Sequence, residues 1–158
     1  MTKEEIQSFT YRITKANRTE MLVVLYDMAC LYLRDAKTCL ERDEKQSFRQ
    51  EIGHARDVIR ELMNSVNVDT KTGRDLLSLY IFYNEQLTGA YLDYDPGPLE
   101  HVSKMLSILS EGYREAAKKD MSGAVMGNTE TVYSGLTYNR HLTGDTAVTG
   151  SQNRGFLA

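Results

Sequence analysis

The chain has 158 residues, a formal net charge of −3 and a sequence pI of about 5.6, with 41% hydrophobic and 26% charged residues. That length suits one domain burying roughly two thirds of its unfolded surface, with no disulfide or metal required, and the acidic balance argues against a nucleic-acid binder. No apolar run is longer than Met21–Tyr26, which is far short of the roughly 18 residues a membrane span needs, and the two early acids with no apolar stretch do not read as a signal peptide, so the cytoplasm is the expected location.

Residues 1–17 form an N-terminal segment with three spaced apolar residues, Ile6, Phe9 and Tyr11. Asn17 with Glu20 resembles a capping box and starts the first predicted helix at about Arg18. This helix runs to about Arg42 and carries two apolar faces. Met21, Val24, Met28, Tyr32 and Cys39 mark one, and Leu22, Tyr26, Ala29, Leu33, Ala36 and Leu40 mark the other. In the second helix Phe48, Ile52, Ala55, Ile59, Leu62 and Val66 recur in steps of four and three, a heptad seam. Ser47 is a candidate N-cap, although the link Asp43–Gln46 also suits a helix.

Turn-forming and β-branched residues between Asn64 and Gly73 break the pattern. The third helix carries Leu76, Tyr80, Tyr83, Leu87, Ala90 and Tyr94, and ends at Asp93–Pro98, where proline removes a donor and clashes with the preceding turn. The fourth carries Leu99, Val102, Leu106, Leu109, Tyr113 and Ala116 and fades at Lys118. Short links place consecutive helices antiparallel. The expected fold is all-α: an up-down-up-down four-helix bundle over residues 18–119. Residues 120–158 hold six of the eleven glycines and only five charged residues, and read as a flexible polar tail.

Familiar catalytic signatures are absent: no GxGxxG, GxxxxGK[ST], CxxC or HExxH occurs. A di-iron bundle needs two Glu-x-x-His motifs on separate helices. The chain has one, Glu51–His54, and His54 lies roughly 110° from the second helix's seam, which points it to solvent. His101 reads the same way. Cys30 and Cys39 fall in one helix, about 13 Å apart along its axis, too far to bridge. A binding protein without catalytic residues, cofactor or metal is expected.

The seams leave apolar residues over. Val58, Met63, Leu77, Ile81, Phe82, Met105 and Ile108 lie off them, as does the second face of the first helix. A bundle helix needs roughly 100° of apolar arc, so the surplus implies a wider core or a groove for an amphipathic helix.

Several stretches in register resemble one family. Leu25-Tyr26-Asp27 is similar to the Leu-Tyr-Asp/Asn signature of the flagellar secretion chaperone FliS, and it follows Ala16–Met21, where the family has Ala-Ser/Thr-Pro and an acid. Leu40–Asp43 is similar to the family's exit from that helix. Ala55–Leu62 resembles Lys-Ala-x-x-Ile-Ile-x-Glu-Leu, Leu79-Tyr80 and Leu87 match the third helix, and Tyr113 matches an aromatic in the fourth. The chain departs from the pattern at Arg18, where proline is usual, and at Glu85-Gln86, where an arginine pair is common.

The resemblance, which runs from about Tyr11 to Lys119, implies a cytosolic chaperone. Such a protein binds the disordered C-terminal segment of flagellin in apolar grooves, blocks premature polymerisation and presents the cargo to the type III export gate. It implies neither nucleic acid nor membrane insertion, and a monomer or weak homodimer. The N-terminal segment would cover a groove through Ile6, Phe9 and Tyr11. The candidate partner-binding residues are Ile6, Tyr11, Leu22, Tyr26, Leu33, Leu77 and Ile81. Beyond what the resemblance implies, the apolar Val132, Leu136 and Tyr138 of the otherwise polar tail are candidate anchors that dock in the same groove as a mimic of the cargo. The alternatives are a non-catalytic adaptor bundle with another partner, or a metal-binding bundle enzyme.

Overall fold

The computed structural model describes residues 1–126; the tail anchors Val132, Leu136 and Tyr138 lie outside the described residues. Five helices follow one another: α1 (Lys3–Lys15), α2 (Arg18–Glu41), α3 (Lys45–Ser65), α4 (Lys71–Asp93) and α5 (Gly97–Ala117). Helices α2 to α5 form the antiparallel bundle, and α1 is an additional helix where the sequence suggested only a segment.

Local signals set most helix ends. At α2, Asn17 Oδ1 accepts from the Glu20 amide at 2.8 Å, and Glu20 Oε2 accepts from the Asn17 amide at 2.9 Å. This reciprocal pair satisfies two donors that helix geometry leaves free. Thr2 and Glu5 repeat the device at α1. At α4 the Thr70 hydroxyl accepts from the Gly73 amide at 3.0 Å. Gly73 is required there, because a Cβ would stand 1.8 Å from the Asn67 carbonyl oxygen. Tyr94 closes α4 in the left-handed region, with φ of 55°. Arg49 from α3 donates to the Tyr91 carbonyl at 3.2 Å and stacks 4.4 Å from the Tyr94 ring centre, pinning that end.

The core lies between α2, α3, α4 and α5. Phe48, Ile52, Ala55, Ile59 and Leu62 of the α3 seam are all buried, as are Tyr80, Tyr83, Leu87 and Ala90 of α4 and Leu99, Val102 and Leu106 of α5. Each large apolar side chain so buried is worth roughly 1.5–3 kcal/mol. The two faces of α2 resolve unequally. Tyr26, Ala29, Leu33 and Ala36 enter the core, whereas Met28, Tyr32 and Cys39 are half-buried at its edge. At the centre the Tyr26 and Tyr80 hydroxyls hydrogen-bond each other. Burial pushes the Tyr80 phenol up to about 12 and raises that of Tyr26 further, so both stay neutral.

His54 corrects the expectation of a solvent-facing residue. It is half-buried, with its ring centre 5.1 Å from that of Tyr32, and its Nδ1 is 3.9 Å from Glu51 Oε2. The α2–α3 packing extends past the seam and reaches it.

Candidate partner-binding surface

Helix α1 lies antiparallel along α2 and contributes no buried residue. Its inner face is Glu5, Phe9, Arg12 and Ile13, all half-buried, at the spacing of one helical stripe. Ion pairs supply the fastening. Arg12 Nη2 is 2.7 Å from Asp27 Oδ2, and Glu5 Oε1 is 2.9 Å from Arg34 Nη2. The Met1 amino nitrogen lies 2.8 Å from Asp35. The Thr2 amide and the Arg34 guanidinium hold the Glu5 carboxyl below its ordinary range. Ion pairs at a protein surface add little to stability and weaken with salt. The helix is therefore attached far less firmly than the four core helices.

Asp27 is the junction of three elements. Besides Arg12 of α1 it takes Arg114 Nη2 of α5 at 2.5 Å and the buried Ser110 hydroxyl at 3.0 Å. Its hydrogen bond raises the Arg114 pKa. The sequence reading named Asp27 only within the Leu25–Asp27 signature, with no contact assigned to it, and singled out neither Arg12 nor Arg114. The available signal was Asp27 itself, the one charged residue between Met21 and Leu33.

Beside this junction a cleft of about 520 Å³ opens between α1, the start of α2 and the end of α5. Ala16, Val23, Val24 and Ala117 give it an apolar floor, and Tyr11, Lys15, Arg114 and Lys118 stand around it. A second apolar surface lies on the outside of α4. Leu77 is half-buried and Ile81 and Phe82 are each 45% exposed. Leu77 and Ile81 are four apart and share one helix face. On α5, Ile108 is exposed as well.

The family model described as flagellar protein FliS matches residues 1–120. The chain belongs to the FliS family. The match takes in all five helices and supports a role as a flagellar export chaperone, a family of binding proteins. No curated protein matches the chain. Among the described residues no helix is long and apolar enough to cross a membrane, and no group of three or more His, Cys, Asp or Glu side chains is placed to hold a metal ion.

Within this FliS fold the residues nominated from sequence separate into four groups. Tyr26 and Leu33 are corrected: at 0% and 2% exposure they are core, not surface. Periodicity shows that a face is apolar without showing which neighbour covers it, and here α3, α4 and α5 cover the Tyr26 face. Leu22 is half-buried against the core. Leu77 and Ile81 lie together on the outer surface of α4. Ile6 and Tyr11 are also corrected as groove-covering residues. They are 50% and 53% exposed, whereas Phe9, named with them, lies on the inner face together with Ile13.

Proposed function

We propose that this FliS-family protein is a cytosolic chaperone for flagellin. It binds the disordered C-terminal region of flagellin, keeps it from polymerising and delivers it to the flagellar type III export apparatus. The observation that carries this reading is the attachment of α1: a helix with no buried residue, held by ion pairs over the α2–α5 seam. A partner helix offering more apolar area exchanges with it at small cost. The exposed Leu77–Ile81 face of α4 supplies a second contact for a chain that wraps the bundle. A disordered partner loses entropy on ordering, so it must bury a large apolar area to bind tightly.

Titration calorimetry with a flagellin C-terminal peptide tests the reading. The expected result is 1:1 binding with a large negative heat-capacity change, weakened at least about tenfold by Ile81→Asp, since a buried unpaired carboxylate is costly. No binding, or binding with no heat-capacity change, refutes it.

A further inference from the structure

The chain leaving α5 turns back onto the junction between α1 and α2. The Asp120 carboxylate accepts from the Thr19 hydroxyl at 2.6 Å, and from the Ser122 amide and hydroxyl at 3.0 and 2.6 Å. The Asp120 carbonyl accepts from Asn17 Nδ2 at 3.3 Å, and the Val125 amide donates to the Ala16 carbonyl at 3.0 Å. Ala16 is the C-cap of α1 and Asn17 the N-cap of α2, and both are buried. These two residues are the covalent link between the helices, so any swing of α1 away from α2 must turn the backbone at Ala16. Ala16 has φ −68° and ψ 134° here, and the direction of its carbonyl depends on that ψ.

We infer that residues 120–125 form a clasp that couples the seating of α1 to the anchoring of the C-terminal segment. Seated α1 presents the Ala16 carbonyl to Val125 and holds the segment down. Displaced α1 withdraws that acceptor and frees residues 121–125. By linkage the effect is reciprocal: the anchored segment holds α1 in place. The use of this coupling in cargo exchange rests on the chaperone reading; the coupling itself does not. A partner that takes the place of α1 would thereby release the C-terminal segment, so that a loaded chaperone differs from an empty one at a second site.

The test is amide hydrogen exchange of the full chain, read residue by residue by NMR, without any cargo. Arg12→Glu, which sets two carboxylates against each other at Asp27, should speed exchange at Val125 about threefold to tenfold, the factor one net hydrogen bond carries. In the other direction Thr19→Val combined with Asp120→Ala should speed exchange of the α1 amides from Ile6 to Ile13 by a similar factor. The α3 amides should stay unchanged in both, which excludes general unfolding. Unchanged Val125 exchange in the first variant, or unchanged α1 exchange in the second, overturns the coupling. Failure of the flagellin peptide to bind would overturn the chaperone reading and leave these exchange results standing.

Discussion

The hydroxyl pair at the centre of the bundle gives a stability prediction that contact-counting would get wrong. Tyr26 and Tyr80 are buried to 0% and 2% exposure and their hydroxyls bond to each other. Tyr26→Phe deletes one oxygen, leaves the rings packed and strands the Tyr80 hydroxyl away from water. The net bond is worth only about 1 kcal/mol, but an unpaired buried hydroxyl costs about 1–3 kcal/mol. Each single substitution should therefore destabilise the fold by about 1.5–2 kcal/mol. The double substitution removes both polar atoms and should cost less than about 1 kcal/mol. The interaction energy of the cycle is then about −2 to −4 kcal/mol. Urea unfolding of the four proteins measures it, and thermal midpoints should follow at roughly 3–5 °C per kcal/mol for a domain of this size. The Tyr113 ring, 5.5 Å from that of Tyr26, is retained in every variant. Additive losses, or two neutral single substitutions, would refute the argument that pairing rather than area holds this site.

Two glycines should respond in opposite directions. Gly73→Ala drives a methyl group to 1.8 Å from the Asn67 carbonyl oxygen and should cost about 2–4 kcal/mol by forcing the α3–α4 link apart, whereas Gly53→Ala, in mid-α3 with nothing within 4 Å of the added carbon, should gain about 0.5–1 kcal/mol from helix propensity; melting temperatures decide both. Ser122 and Thr19 hold the Asp120 carboxyl down at about 2. Its folded value lies below the ordinary one of about 3.9, so its contribution to the clasp is fully present above about pH 4 and is lost as pH falls through about 2. Carboxyl-carbon NMR should show Asp120 titrating near 2, and Thr19→Val should raise that value; a midpoint near 4 in the parent protein would refute the geometry.

Much of the fold was legible before any coordinates. The Asn17–Glu20 box started α2, the prolines at 96 and 98 marked the α4–α5 link, and the α3 heptad named five of its buried residues outright. Caps and periodicity are local, and one helix that is apolar on one side has one way to bury itself. Of the two starts the sequence offered for the second helix, the structure takes the helical link: α3 begins at Lys45, without a side-chain cap to announce it. Helix α1 was missed because its stripe of Glu5, Phe9, Arg12 and Ile13 is half charged, and charged residues carry no periodic apolar signal.

The candidate surface was less legible. From the sequence alone, α2 has two apolar faces, and nothing within the helix distinguishes the one that meets α3, α4 and α5. Packing chose the Tyr26–Leu33 face, which removed two nominated contacts from the surface, and left Leu77 and Ile81 outside. Arg12 and Arg114 stand 15 and 87 residues from Asp27 along the chain, and the Asp120 clasp reaches back about a hundred. The sequence by itself thus determined where the four bundle helices lie and which family they resemble. Only the tertiary structure decided which apolar faces are core and which charges meet, because burial and ion pairing depend on neighbours that local pattern does not encode.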